Sequence, residues 1–314
     1  MRDKLKVFSG SAHPALAKAI CEHLQIQLGA AHTIRFTNEN LKVRIDENVR
    51  DADVFVVQPS CPPVNEGLVE LLIMLDALRS ASAARITAIT PYYPYVRSDK
   101  KDEPRISITA RLVADLLQTA GADRVIAVDL HSPQVQGFLR MPSDHLTARS
   151  ILVDYFRKRP DLEEHVVVAP DAGEVKDAAG FAKQLGVPIA IVDKRRFGDD
   201  EVARAVHLVG QVRGKRAIIV DDEIATGGTV IESSDFVLRE GARDVSVACV
   251  HPVLSGNAIE RLRASQIAEL VVTDTIPLPP AKVDPKITVL SVASLLAEAI
   301  SRVHDGRSVS ELFE

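Results

Sequence analysis

Cysteine is scarce in this chain. Cys21, Cys61 and Cys249 are its only three, odd in number and far apart. That excludes a disulfide framework and any paired spacing for zinc, and the three read as reduced thiols of a cytoplasmic protein. Long apolar runs are missing too. Nothing approaches the ~20 residues that span a bilayer, so no membrane partner is expected. The opening MRDKLKVFSG has no apolar stretch behind its charges, which argues against a secretory signal. Basic excess is also absent. The net charge is −5 and no basic stripe stands out, so nucleic acid is not an expected partner. A local basic pocket for a small anion stays compatible with that balance. No low-complexity linker divides the chain.

What is present is an α/β alternation. The length of 314 residues suggests about two domains. Apolar, β-branched runs predict strands over 5–8, 54–57, 85–89, 124–128, 166–169, 189–192, 217–220, 245–250 and 270–273. Helical patterns lie between them, over 14–28, 66–79, 107–120, 173–185, 228–240 and 292–303. Pro14 suits a first helical turn. Gly29, Gly121, Gly186 and Gly241 fall where these helices should stop. The strands are continuous apolar runs, which fits burial on both faces of parallel sheets. A faint echo links "VVQPS", "ITAITPYYPYVRSD" and "RVIAVDLHSPQVQGF" with "VVAPDAGE", "IAIVDKRR" and "RAIIVDDEIATGGT". Two similar domains would explain it, with a boundary near Arg149.

Ligands of such sheets bind beyond the carboxyl ends of the strands. The segment "VVDDEIATGGTV" is therefore informative. Asp221 and Asp222 end a strand, and ionised carboxylates are acceptors suited to two neighbouring sugar hydroxyls. Thr226, Gly227, Gly228 and Thr229 then open a helix. Glycines let a backbone approach a ligand, and first-turn N–H groups favour a phosphate. A phosphate on the loop and a diol on the acids together describe a pentose phosphate. By itself the Asp pair also reads as a solvated strand end. "VVAPDAGE" repeats the strand–loop–helix pattern, with Asp171 readable as a helix cap or a site acid. "IVDKRRFGDD" leaves a strand with Lys194, Arg195 and Arg196. "VDLHSPQVQGF" puts His131 past a strand, where a histidine also serves as an ordinary hydrogen bonder.

The strand, Asp-Asp and Thr-Gly-Gly-Thr order resembles the diphosphate-sugar signature of type I phosphoribosyltransferases. Together with "PYYPYVRSDKK", "DLHSPQVQGFL", "IVDKRR", "HPVLSG" and "TDTIPLP", it resembles the ribose-phosphate diphosphokinases from about Leu5 to Phe313. The resemblance implies two phosphoribosyltransferase-like domains, each a mainly parallel sheet flanked by helices. They would span 1–148 and 149–314, with the C-terminal helix packing back on the first. It implies ATP and ribose 5-phosphate as substrates and Mg²⁺ as cofactor. Ribose 5-phosphate would bind at Asp221, Asp222 and Ala225 to Thr229. ATP would bind at Phe36, Asn38, Asn40, Arg97, Ser98 and Asp99. His131 and Asp171 would hold metal, and Lys194 and Arg196 would act on the triphosphate. It also implies a homo-oligomer, dimers arranged into hexamers.

Three departures from the family pattern stand out. Ser98 replaces a glutamine between Arg97 and Asp99. Asn38 and Asn40 are neutral where the family is acidic. Ala225 occupies a position that often holds Asp. Two rival readings follow: a non-catalytic relative that regulates an active synthetase, and a transferase that consumes the diphosphate sugar. The second leaves Phe36, Arg97 and His131 without a task. Retained His131, Asp171, Lys194 and Arg196 oppose the first.

Overall fold

The computed structural model describes residues 4–195 and 204–313, with backbone alone at 194–195 and 204–206. In chain order the regular elements begin with β1 (Leu5–Ser9), α1 (Pro14–Leu24), β2 (Ala31–Arg35), β3 (Leu41–Ile45), β4 (Asp53–Val57), α2 (Val64–Ser80), β5 (Arg85–Thr90), α3 (Thr109–Ala120), β6 (Arg124–Val128) and β7 (Ser143–Leu146). They continue with α4 (Arg149–Arg157), β8 (His165–Ala169), α5 (Val175–Leu185), β9 (Ile189–Arg195), β10 (Arg204–Val209), β11 (Arg216–Glu223), α6 (Gly228–Arg239), β12 (Asp244–His251), α7 (Ala258–Ala264), β13 (Glu269–Thr273), β14 (Ile287–Leu290) and α8 (Ala293–Asp305). The chain forms two compact units. One comprises residues 1–147, 275–277 and 291–314, the other 148–274 and 278–290.

The first unit is built on a parallel sheet in the order β1-β4-β5-β6-β7. β4 is wholly buried, which is why residues 54–57 read as an unbroken apolar run. Phe8, Val54, Val56, Leu71, Leu75 and Tyr93 belong to the core beneath it. β2 and β3 form a separate antiparallel hairpin, which packs on α2. The second unit has the order β10-β9-β8-β11-β12-β13-β14, parallel except for β10 against β9. Val166, Val168, Ile219, Val247 and Phe236 lie in its core.

Two consecutive repeats, 5–157 and 165–305, share one plan. Each runs strand, helix, hairpin pair, strand, helix, strand, helix, two strands, then a helix. β1, β4, β5, β6 and β7 thus correspond to β8, β11, β12, β13 and β14. The register agrees: Leu5 pairs with Asp53 as His165 pairs with Arg216. The echo seen in the sequence is displaced by comparison, because it matches "VVQPS" after β4 with "VVAPDAGE" after β8. Short apolar strands followed by small residues look alike wherever a strand ends.

The last helix of each repeat belongs to the other repeat's unit. α4 lies in the second, where Tyr155 and Arg159 bond Glu269 on β13. α8 lies in the first, against α1. There His304 Nδ1 meets Asp53 Oδ2 at 2.7 Å, and Arg85 Nε donates to Asp53 Oδ1 at 2.8 Å. Asp53 is only 9% exposed. Asp53→Ala takes the carboxylate from both partners, with only the bond from Arg85 Nη2 to Val303 O left, so it should cost about 2–3 kcal/mol and lower the thermal midpoint by several degrees. An unchanged melting curve would show that the Asp53 carboxylate does not hold α8, leaving packing and the bond from Arg85 Nη2 to Val303 O.

Two sequence expectations need correction. α1 ends at Leu24 rather than residue 28, and Gln25 takes the left-handed stop at φ 57°. Gly29 is not its cap. Its N–H donates to Val7 O at 2.7 Å, and a Cβ there would come within 2.5 Å of the Phe8 ring. β2, β3, β7, β10, β14, α4 and α7 are further elements that the apolar patterns did not mark.

Candidate active site

β11 runs past β8 alongside β12 and ends on Asp221, Asp222 and Glu223. The loop behind it is fixed by its carbonyls. Ile224 O accepts from Leu254 N, Ala225 O from Ser255 N, and Gly227 O from Ile231 N. Thr226 O accepts from Arg261 Nη1 at 3.1 Å. Gly227 stands at φ +75°, a left-handed turn that glycine adopts without a Cβ penalty, and α6 starts at Gly228. First-turn amides of a helix have no intrahelical acceptor, so this turn offers N–H groups to an anion.

The opposite wall comes from the β8–α5 connection. Asp171 Oδ1 accepts from Gly173 N at 2.8 Å and Glu174 N at 3.3 Å, so it shapes the turn into α5. Ser233 Oγ on α6 donates to Pro170 O at 3.4 Å and ties the two walls together. Glu174, Asp221 and Asp222 each bring a carboxylate oxygen within 4.8 Å of the others. Burial, then Asp222, then Glu174 push the Asp221 carboxyl well above its ordinary value. Beneath them Cys249 is fully buried, and its thiol is likewise pushed up, first by burial and then by Asp221. Cys249 therefore stays a neutral floor. A cluster of three oxygen donors with mutual repulsion suits a hard divalent cation, and Mg²⁺ accepts such donors while keeping waters.

The second unit thus brings Asp171, Asp221, Asp222 and Ala225 to Thr229 to one strand-end cleft. Glu174 joins them and was not singled out from the sequence, although it closes the quoted "PDAGE". Lys194 lies at the end of β9 with its side chain outside the described residues, and Arg196 lies wholly outside them. In the first unit Phe36, Asn38 and Asn40 sit at the hairpin tip. Phe36 is 46% exposed. Phe36 N donates to Asn40 O at 2.9 Å, and Asn40 N to Asn38 Oδ1 at 3.3 Å. Arg97, Ser98 and Asp99 follow β5. Arg97 is exposed, while the Ser98 hydroxyl turns to Ser107 O at 3.2 Å and accepts from Thr109 N at the start of α3. Exposed His131 follows β6, in a segment pinned where Leu130 N donates to His145 Nε2 at 2.9 Å. The hairpin tip belongs to a different sheet from these strand ends.

Fold and site together define a duplicated α/β protein with an acid pair and a glycine-turned anion cradle at the carboxyl ends of parallel strands. Residues 5–121 match the N-terminal domain of ribose phosphate pyrophosphokinase, and residues 200–314 match the phosphoribosyl synthetase-associated domain. Ribose-phosphate pyrophosphokinases of Caldanaerobacter subterraneus and Deinococcus radiodurans are each 50% identical over 99% of this chain and 98% of their own. The crystal structure of phosphoribosylpyrophosphate synthetase from Mycobacterium smegmatis is 45% identical, covers 96% of this chain and 99% of its own, and superposes with a TM-score of 0.91. The chain belongs to the ribose-phosphate pyrophosphokinase family. The full-length likeness is to chains named as the enzyme, which favours a catalyst over a regulatory relative or a base-attaching transferase. Among the described residues no helix is long and apolar enough to cross a membrane.

Proposed function

We propose that this protein transfers the β,γ-diphosphoryl group of MgATP to the C1 hydroxyl of ribose 5-phosphate. The C1 oxygen attacks the β-phosphorus, the bond to the bridging α,β-oxygen breaks, AMP leaves, and the C1 hydroxyl proton passes to solvent. The product is 5-phosphoribosyl 1-diphosphate. The observation that carries this reading is the acid pair set beside the Gly227 turn in a chain of this family.

Amides and hydroxyls of Ala225, Thr226, Gly227, Gly228 and Thr229 cup the 5-phosphate. Asp221 and Asp222 accept from the ring hydroxyls and orient C1. Phe36 stacks on the base, Asn38 and Asn40 meet its edge, and Arg97, Ser98 and Asp99 face the rest of the nucleotide. Asp171 and His131 hold metal, with Glu174 and the Asp pair as further oxygen donors. Bound Mg²⁺ would neutralise phosphate charge. Lys194 and Arg196 steady the charge that redistributes on the transferring group. No covalent protein intermediate is needed, because positioning supplies much of the rate. We further assign the chain to the cytoplasm, in keeping with three free cysteines, and to a homo-oligomer of dimers arranged as a hexamer.

Purified protein incubated with ribose 5-phosphate, ATP and Mg²⁺ should release AMP and a diphosphorylated sugar, followed by ³¹P NMR. ADP alone would mark an ordinary kinase, and no turnover would restore the regulatory alternative. Base stacking on an aromatic ring is worth about 1–3 kcal/mol, so Phe36→Ala should raise KM for ATP roughly tenfold. KM for ribose 5-phosphate should stay within about twofold. A change confined to ribose 5-phosphate would remove Phe36 from the nucleotide site.

A further inference from the structure

The duplicated plan equates positions between the units. Phe8 pairs with Val56 in the first, as Val168 pairs with Ile219 in the second. Two residues past Val56 and Ile219 stand Gln58 and Asp221, and three past Phe8 and Val168 stand Ser11 and Asp171, so Gln58 occupies the place of Asp221 and Ser11 that of Asp171. The counterpart of the acid cleft is closed in the first unit. Gln58 is 2% exposed, and its Oε1 accepts from Ala12 N at 3.0 Å. A Cβ on Gly10 would fall 2.3 Å from that oxygen, so no room remains.

Glu70 on α2 completes the closure. It is 1% exposed and is not ion-paired with any cation among the described residues. Its oxygens accept from Ser11 N at 3.1 and 3.2 Å, from Ser11 Oγ, from Gln58 Nε2 at 2.8 Å and from Thr33 Oγ1. Ser11 and Gln58 belong to the ends of the main sheet, whereas Thr33 lies on β2 of the separate hairpin. One buried carboxylate therefore joins the hairpin to the body of the unit. A second tie lies one turn earlier, where Arg35 Nη1 meets Glu66 Oε2 at 3.1 Å. That pair is more exposed, and exposed pairs contribute little. Hydrogen bonds to a buried charged acceptor are worth more.

We infer that Glu70 is a positioning residue for the nucleotide: the first unit's counterpart of the acid cleft has become a clamp that sets where the β2–β3 hairpin presents Phe36, Asn38 and Asn40. This rests on the proposed nucleotide role of the hairpin. The clamp needs an acceptor at both oxygens. An amide at position 70 keeps one acceptor and turns an N–H₂ toward the Ser11 N–H and Gln58 Nε2, which cannot receive it, so a hydroxyl of Ser11 or Thr33 would have to reverse from donor to acceptor.

The test uses the full-length protein with Glu70→Gln and, because that change is buried, Thr33→Val as a second variant that removes only the hairpin's donor. KM for ATP should rise roughly tenfold in E70Q and about threefold in T33V. KM for ribose 5-phosphate and kcat should stay within about twofold, and amides over 31–45 should exchange faster. Affinity for α,β-methylene ATP, measured by calorimetry, should fall in parallel. A lowered melting temperature with unchanged nucleotide KM and affinity in both variants would overturn the clamp. Wild-type protein that binds the analogue yet forms no diphosphorylated sugar would overturn the proposed reaction, and the analogue affinities would still decide the clamp. Wild-type protein that does not bind the analogue would overturn both.

Discussion

Lys194→Ala is expected to lower kcat about 10³-fold while the dissociation constant for ribose 5-phosphate changes less than about threefold. Lys194 is the penultimate residue of β9, the strand beside β8, and β8 leads to Asp171. The backbone at this strand end is close in the sheet to the wall that faces the acid pair. In the proposed site the sugar has its own anchors in the second unit, at the Gly227 turn and the two acids. Its ground-state binding should therefore survive loss of the lysine. The triphosphate is different. Charge moves onto the bridging α,β-oxygen as the bond to the β-phosphorus breaks, and a fixed cation there is worth more in the transition state than before it. Single-turnover AMP release and calorimetry with ribose 5-phosphate give the two constants separately. Equal losses in both would reduce Lys194 to a binding residue.

The fold was legible where burial dictates composition. The middles of β4, β8 and β12 are mostly apolar because both faces are covered, so their runs stand out. The hairpin did not stand out. β2 is exposed at four of its five residues, and its strand state comes from pairing with β3 and packing on α2. β7 and β14 are edge strands of four residues, too short for a pattern to declare itself. The exchange of α4 and α8 between units is a matter of tertiary packing, and local periodicity carries no trace of it. At the site, Asp221, Asp222 and the glycine turn were readable because their chemistry needs adjacent residues. Glu174 was not, since its approach to Asp221 follows from the register of β8 on β11, residues far apart in sequence. Glu70 was hidden more deeply. Within "LVELLIML" a single glutamate looks like the solvent face of an amphipathic helix, yet it is almost fully buried.

Asp221→Asn should move function and stability in opposite directions. Acceptors for the sugar hydroxyls and for a divalent cation are lost, so kcat/KM for ribose 5-phosphate should fall about 10²- to 10³-fold. The unliganded protein should nevertheless melt higher. In the folded chain the Asp221 carboxyl is raised above its ordinary value of 3.8 by burial and by its acidic neighbours. The folded state therefore holds this proton more tightly than the unfolded state does. Its favourable contribution is present below pH 3.8 and is lost as pH rises through the folded value. At neutral pH the crowded acids are a net cost, and asparagine removes one of them. The wild-type melting temperature should accordingly decline more steeply than the variant's as pH rises from about 4 toward neutrality. Added Mg²⁺ should raise the wild-type midpoint and largely erase that difference, because a cation between Glu174, Asp221 and Asp222 offsets their repulsion. The variant should gain less from the ion. If D221N melts no higher than wild type and responds to Mg²⁺ as fully, the acids are not strained against one another, and the cleft is not built around a cation.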